Sequence, residues 1–193
     1  RSLIHNNKMT IISLQELAAF LNTYKVSGRI ADYGGTSEIG ARIVRQMLGF
    51  EDVGIKEDLV DDMWVGLVMG SAAKETVPTY HPLDYNNGVD LLLPIEGEPY
   101  DAGISMDLLE HTSQPFIVAE NISNSLKPGA LLFVTVPFVW EVHNYPGDYW
   151  RFTPQGLATL FPKMKQRASK IIRDQSPEEE LPRTRIVAVF QKI

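Results

Sequence analysis

The stretch GRIADYGGTSEIG, residues 28–40, decides how the rest of the chain is arranged. Ile30 and Ala31 are typical of the end of a short buried strand, which Asp32 closes. The two glycines that follow form a turn that no Cβ crowds, and apolar residues then recur at helical spacing from Ile39 onward. A strand, a glycine turn and a helix in this order predict a binding place for a nucleotide-like ligand at the helix N-terminus.

Strand and helix patterns alternate on both sides of this stretch. Ser13 with Glu16 after it is a capping-box pattern, which predicts a helix over residues 13–24 in an N-terminal segment of residues 13–27. Apolar and β-branched runs predict strands at residues 77–84, 89–93, 100–106, 130–136 and 185–190.

Two further helices are predicted between these strands. One has Phe116, Ile117, Ala119 and Ile122 as its apolar positions, and the other begins at Thr153-Pro154 with proline in its first turn. The alternation predicts an open α/β sheet that is covered on both faces, with ligands at the carboxyl ends of the strands.

Composition limits the class of protein. A length of 193 residues suits one domain over residues 1–193, and the net charge of −6 argues against a nucleic-acid partner. The chain has no cysteine, which excludes disulfides and thiolate sites. No apolar run approaches the roughly 20 residues that span a bilayer, and no signal-peptide pattern is present, so we expect a cytoplasmic protein.

Two charged segments are predicted to be surface features. Residues 49–77 carry many acidic residues and predict an acidic insertion or lid. The basic residues between positions 163 and 173 predict a solvated surface.

Asp84, at the end of the predicted second strand, is placed to accept hydrogen bonds from the hydroxyls of a ribose, although it could also be a surface acid at a turn.

Four motifs in order give the chain a specific resemblance. DYGG at residues 32–35, DLLEH at 107–111 and LKPGALL at 126–132 resemble motifs of class I S-adenosylmethionine-dependent methyltransferases. A fourth segment, from VPF at residues 136–138 through His143 to DYWRFTP at 148–154, resembles a subgroup of the type-11 methyltransferase domain. Together they identify the chain as similar to that family over most of its length.

The resemblance implies a fold and a cofactor site. It implies a Rossmann-like sheet of about seven mostly parallel strands with helices on both faces, the last strand antiparallel. S-adenosylmethionine is the implied cofactor, and the residues implied to hold it are Asp32, Gly34, Gly35, Thr36, Asp84, Leu91, Met106, Asp107, Leu109 and His111.

Residues 138–153 follow the predicted fifth strand and are the predicted acceptor site. The residues expected to contact a small-molecule acceptor are Trp140, Tyr145, Tyr149 and Arg151. His143 is the predicted general base, with Asp148 second. A structural histidine, and an Asp148–Arg151 pair that only fixes the segment, are alternatives. We expect no metal, because the histidines do not occur at the spacing of metal ligands along the sequence.

The predicted function is methyl transfer to an oxygen or nitrogen of a small-molecule acceptor, such as a sugar or another metabolite. The glycine motif continues as Thr36-Ser37-Glu38 where the family usually has another glycine, and residues 90–101 are shorter than usual. These departures motivate one alternative, a methyltransferase-like binding protein with a degenerate cofactor site. The oligomeric state does not follow from the sequence.

Overall fold

A computed structural model describes residues 11–34, 79–85, 88–143, 147–173 and 183–193. Its helices are α1 (Ile11–Thr23), a 3₁₀ helix (Leu109–His111), α2 (Pro115–Asn124) and α3 (Pro154–Thr159). Its strands are β1 (Arg29–Tyr33), β2 (Thr79–Leu83), β3 (Tyr100–Met106), β4 (Leu126–Val139), β5 (Met164–Arg173) and β6 (Thr184–Lys192). The predicted acidic insertion at residues 49–77 lies outside the described residues.

The described strands form one mixed sheet in the order β2-β1-β3-β4-β6-β5. The first four strands in that order are parallel, and β6 runs antiparallel to both β4 and β5. The sequence therefore predicted the fold class and the antiparallel last strand correctly. The described sheet has six strands, rather than the predicted seven.

The missing strand is the one predicted at residues 89–93, where the chain forms a turn. The Asp90 carboxylate accepts a hydrogen bond from the Leu92 N–H at 2.9 Å, and the Asp90 carbonyl accepts one from Leu93 at 3.0 Å. Side chain and backbone thus fold the segment back on itself. Leu91 packs into the core, whereas Leu92 and Leu93 are exposed.

Strand β5 was not predicted, because the sequence shows no apolar alternation there. The side chains of β5 are mostly exposed, as expected for the strand at the edge of a sheet. The basic residues of this region lie on the surface, as predicted. Two of them form surface ion pairs, Lys163 with Glu120 and Lys170 with Glu16.

Two details of the predicted helices are wrong. Helix α1 begins at Ile11, so Ser13 is a buried residue inside the helix instead of its N-cap. Helix α2 buries Val118, Ala119 and Ile122, whereas Phe116 and Ile117 point to the surface. The start of α3 is as predicted, because the Thr153 side chain accepts a hydrogen bond from the Gly156 N–H.

Apolar residues cover both faces of the sheet. One cluster contains Leu17 and Leu21 of α1 with Ile30 and Phe133, and the larger one contains residues of α2 and α3 with Tyr33 and others. Among the described residues, no helix combines the length and apolarity needed to cross a bilayer.

One buried hydrogen bond joins the first strand to the end of α2. The Tyr33 hydroxyl lies 2.7 Å from Ser125 Oγ, and Ser125 Oγ donates to the Ile122 carbonyl at 2.9 Å. Ser125 has one hydroxyl proton, so Tyr33 is the donor to Ser125. Burial raises the pKa of Tyr33, which keeps the phenol protonated.

We predict that Tyr33→Phe lowers the free energy of unfolding by about 1 kcal/mol, because a buried acceptor loses its donor. Tyr24→Phe is the control, since Tyr24 is an exposed tyrosine just after α1; it should change stability by less than about 0.5 kcal/mol. Urea unfolding followed by circular dichroism measures both. Equal effects of the two substitutions would show that the hydrogen bond does not stabilise the fold.

Candidate functional site

The carboxyl ends of the parallel strands meet at one edge of the sheet. Tyr33 of β1 is in register with Leu83 of β2 and with Ser105 of β3. Gly34, Asp84 and Met106 therefore come to the same edge. The chain passes from β1 to β2 on one side and returns to β3 on the other, so this edge contains the point where strand order reverses, where open α/β sheets bind ligands.

Gly34 has a conformation and a surrounding that only glycine fits. Its φ is +78°, and an added Cβ would lie 2.7 Å from Leu108 Cδ1. Its N–H donates to the Leu83 carbonyl at 2.9 Å, which ties the turn to β2. The Leu108 side chain packs against the Gly34 backbone, in the space that a Cβ would need. Gly35 and Thr36 lie outside the described residues.

The two acids predicted at the strand ends are buried. Asp32 is 5% exposed and Asp84 is 3% exposed. They lie at the ends of β1 and β2, as the sequence predicted. Met106 ends β3 and is partly buried against the core on the α1 side of the sheet.

Asp107 turns the chain out of β3 with a φ of +50°, which is uncommon for a residue with a side chain. Its N–H donates to the Thr135 carbonyl at 3.0 Å, and its Oδ1 accepts from Thr135 Oγ1 at 3.1 Å. Its Oδ2 pairs with the buried guanidinium of Arg185. Both carboxylate oxygens are therefore bound by the protein itself.

Leu91 and Leu109 were predicted to contact the cofactor, but the structure places both in the larger core. Leu109 has no exposed surface and Leu91 is 9% exposed. Their observed contacts are apolar packing contacts. The Leu91 carbonyl also accepts a hydrogen bond from Asn121 at 2.9 Å, which holds the turn against α2.

The segment of residues 147–153 is attached to the 3₁₀ helix. The Tyr149 N–H donates to the Glu110 carbonyl at 2.8 Å, and Trp150 Nε1 donates to the Thr112 carbonyl at 2.9 Å. His111 Nδ1 bonds the carbonyl of Gly147. Because of these bonds, the predicted acceptor segment and the end of β3 form one site.

Arg151 uses all five of its N–H donors in hydrogen bonds to Trp140, Glu141, Asp148 and Trp150. Nε donates to the Trp140 carbonyl, and the two terminal nitrogens donate to the carbonyls of Glu141 and Trp150. The same nitrogens also bind both carboxylate oxygens of Asp148. Arg151 therefore has no free donor for an acceptor in this arrangement, and its observed role is to fix the segment.

Asp148 is a weak base. Hydrogen bonding to Arg151, followed by the hydrogen bond from the His143 N–H, lowers the pKa of Asp148 to about 2. Its side chain is 1% exposed. A carboxylate with so low a pKa accepts protons poorly near neutral pH, so Asp148 is suited to orienting His143 rather than to replacing it.

The two histidines of the site face one another. His143 Nε2 lies 3.4 Å from His111 Nε2, and the rings are almost perpendicular at 87°. His143 Nδ1 lies 3.0 Å from Asp148 Oδ2. The spacing of histidines along the sequence gave no sign of this pair, because the fold brings together two histidines that are far apart in the chain.

Glu110 completes this group, and the sequence argument gave it no role. Glu110 Oε1 lies 3.8 Å from His111 Nε2, and its side chain is 2% exposed. Burial raises the pKa of Glu110 well above its usual range, and the nearby Asp107 carboxylate raises it further. The signal available in the sequence was a glutamate next to a histidine in DLLEH, directly after a strand.

The predicted acceptor contacts differ in what they touch. The ring of Trp140 lies beneath the guanidinium groups of Arg183 and Arg185, at 5.0 and 4.6 Å from its centroid. Tyr149 is 59% exposed and so remains available to a ligand. Tyr145 lies outside the described residues.

Comparison with solved structures gives the fold. The chain aligns with the N-methyltransferase NodS from Bradyrhizobium japonicum WM9, in complex with S-adenosyl-L-homocysteine, over 96% of this chain and 89% of that one, with a TM-score of 0.58 and 12% identity. It aligns with the [4+2]-cyclase SpnF over 92% of this chain and 80% of that one, with a TM-score of 0.57 and 14% identity.

The chain has a class I methyltransferase fold. A curated relative, the ubiquinone biosynthesis O-methyltransferase of Parvibaculum lavamentivorans, is 26% identical over 110 residues. That match covers 50% of this chain and 44% of the relative, so it spans less than half of the relative's length. No family model matches the chain, and the narrower resemblance to the type-11 domain stays a prediction.

We predict that Arg185→Met lowers the free energy of unfolding by roughly 1.5–3 kcal/mol, because it leaves the Asp107 carboxylate without its charged partner. Arg183→Met is the matched control: Arg183 contacts the same Trp140 ring, but its carboxylate partner Glu141 is 65% exposed. Exposed pairs contribute little, so the control should cost less than about 1 kcal/mol. Thermal and urea unfolding of both variants measures the difference, and equal losses would contradict it.

Proposed function

We propose that this chain transfers a methyl group from S-adenosylmethionine to an oxygen or nitrogen of a small-molecule acceptor. The observation that carries the proposal is the sheet edge where strand order reverses, at which Gly34, with a φ of +78°, and the buried Asp84 follow β1 and β2. A related structure supports the cofactor, since NodS was solved with S-adenosyl-L-homocysteine. The curated relative supports an oxygen acceptor.

Residues at the carboxyl ends of three strands would hold the cofactor. Gly34 would allow close approach to its methionine part, and Asp84 at the end of β2 would meet its ribose. When bound, the cofactor would supply an electrophilic methyl carbon for in-line attack by an acceptor lone pair, and S-adenosylhomocysteine would leave with the electron pair of the C–S bond. Further cofactor contacts are proposed for Asp32, Gly35, Thr36, Met106, Asp107 and His111.

The chain's own contribution is to align the two reactants and to exclude water. The attached segment of residues 147–153, with Tyr149 exposed on it, would cover the acceptor. A hydroxyl acceptor must lose a proton as it attacks, and an ammonium group must lose one beforehand to become a nucleophilic amine. His143 would accept that proton, and Asp148 would orient the ring.

A binding protein without catalysis is the second candidate. The sequence Thr36-Ser37-Glu38 replaces the usual glycine after the turn, and the fold also occurs in a protein named as a cyclase. A fold shared by different activities does not determine the reaction. Cofactor binding and methyl transfer therefore need separate tests.

We predict that S-adenosylhomocysteine binds the wild-type chain and that Gly34→Ala weakens binding by at least about tenfold, since the new Cβ displaces Leu108 and changes the shape of the turn at the sheet edge. Gly129→Ala is the control. Gly129 has a similar φ of +81° and no atom within 4 Å of an added Cβ, and it lies in β4 near the amino end of the strand. Isothermal titration calorimetry measures both variants.

If the two glycine variants bind equally, Gly34 does not form the cofactor site. If the wild type binds neither S-adenosylmethionine nor S-adenosylhomocysteine, the proposed function is wrong. Circular dichroism would confirm that both variants are folded.

We also predict that His143→Ala lowers methyl transfer by about 10²–10⁴-fold with cofactor affinity unchanged, because the acceptor's proton has no nearby recipient. Release of S-adenosylhomocysteine in the presence of phenol and sugar acceptors measures turnover. His81→Ala is the control, since His81 of β2 contacts Thr79 and Tyr100. Full turnover in His143→Ala would exclude His143 from the reaction.

A further inference from the structure

We propose that Glu110, His111 and His143 bind one divalent transition-metal ion. The carboxylate and the two imidazoles offer ligand atoms that all lie within 4.8 Å of one another. Metal binding here does not depend on the proposed function, whereas the role of the ion described below rests on it.

The distance between the two imidazoles fits a metal ion. Two nitrogens that each lie about 2.0–2.1 Å from a tetrahedral zinc ion are separated by roughly 3.4 Å. The observed separation of His111 Nε2 and His143 Nε2 is 3.4 Å. Glu110 Oε1 lies 3.8 Å from His111 Nε2, and the ligand atoms of all three residues lie within 4.8 Å of one another, so the carboxylate would move closer to join the two imidazoles.

The protons on the two rings also favour an ion between them. His111 Nδ1 faces the Gly147 carbonyl, which can only accept a hydrogen bond, so Nδ1 carries the proton. His143 Nδ1 makes no hydrogen bond, but the negative charge of the Asp148 carboxylate 3.0 Å away favours a proton on Nδ1. With both protons on Nδ1, both Nε2 atoms have a free lone pair, and a cation between them would accept both.

The Glu110 carboxyl gives a separate reason. Its side chain is 2% exposed, and Oε2 is buried with no hydrogen-bond partner. A buried polar atom without a partner lowers the stability of a fold. A metal ion bound by this carboxyl would add a partner that the described residues do not give to Oε2.

The groups behind the ligands resemble the outer shell of a metal site. Ligating histidines almost always give their second N–H to a carbonyl or a carboxylate. The Gly147 carbonyl fills that role for His111, and the Asp148 carboxylate lies 3.0 Å from Nδ1 of His143 and accepts a hydrogen bond from the His143 backbone N–H. Asp148 is in turn fixed by two bonds from Arg151. A role behind the metal ligands would account for the two hydrogen bonds that Arg151 donates to Asp148.

The donor set selects the kind of ion. Two imidazoles and one carboxylate suit zinc, cobalt or iron(II), whereas magnesium and calcium prefer oxygen ligands alone. Three protein ligands leave at least one coordination position for a water molecule or an acceptor atom. The site therefore favours a first-row transition metal with an open position.

At that position the ion would deepen the proposed function. Coordination lowers the pKa of a bound hydroxyl by several units, so the acceptor oxygen would lose its proton to solvent before attacking the methyl carbon. The Nε2 lone pair of His143 would then be committed to the metal. The ion would then activate the acceptor in place of His143. The substrates would be acceptors with an oxygen or nitrogen atom that can coordinate a cation.

The test is metal binding by the full chain without an affinity tag. After treatment with a chelator and its removal, calorimetric titration with Zn²⁺ should show one site per chain, and Co²⁺ should give visible absorption bands of a site with nitrogen ligands. His111→Ala, His143→Ala and Glu110→Gln should each weaken Zn²⁺ binding by at least about tenfold. His81→Ala, which removes a histidine outside the cluster, should bind as the wild type does.

Absence of Zn²⁺ binding by the wild type, or equal binding by all four variants, would overturn the proposal. The Co²⁺ spectrum of the wild type keeps the test decisive if a variant does not fold, since a spectrum without nitrogen ligands would also overturn it. S-adenosylhomocysteine titration of the same samples separates the two proposals. Metal binding without cofactor binding would refute the proposed function alone, and cofactor binding without metal binding would refute the metal site alone.

Discussion

The backbone turn at Asp107 is the constraint on which the site depends. A residue with a side chain and a φ of +50° is held in a sparsely populated conformation. Thr135 of β4 and Arg185 of β6 supply the bonds that hold it there. Three strands thus fix the direction in which the chain leaves β3, and that direction places Glu110 and His111 at the sheet edge.

The second requirement is that the segment after β4 returns to this turn. Hydrogen bonds from Tyr149 and Trp150 attach it to carbonyls of the 3₁₀-helix region, and Arg151 fixes it from within. The chain after β4 places His143 Nε2 at 3.4 Å from His111 Nε2. Residues that the sequence assigns to separate motifs therefore form one site, and the internal bonds of Arg151 hold the site's shape.

The sequence predicted the fold well where its signals were local. Asp32 and Gly34 end a strand and begin a turn because of their own chemistry, and Thr153-Pro154 begins a helix for the same reason. Strand β5 lacked such a signal, because an exposed edge strand needs no apolar face. Residues 89–93 had a false signal, since three leucines suggested a strand where the Asp90 side chain makes a turn.

The site was harder to predict than the fold, for a physical reason. His111 and His143 are 32 residues apart, and only the return of the segment brings their rings together, so no spacing rule could connect them. Leu109 and Leu91 were predicted to be ligand contacts by position in a motif, whereas their described contacts are packing contacts in the core. Side-chain contacts between distant segments are set by tertiary packing, which a motif does not encode.

A methyltransferase fold does not by itself establish the reaction, because one fold serves several chemistries. The central claim is that the edge formed by β1 and β3 binds the methyl donor. A crystal structure of the chain grown with S-adenosylhomocysteine tests it most directly. We predict that the amino-acid part of the ligand contacts the Gly34 backbone and that its ribose meets Asp84. A ligand-free edge at saturating S-adenosylhomocysteine, or a ligand bound elsewhere on the chain, would contradict the account.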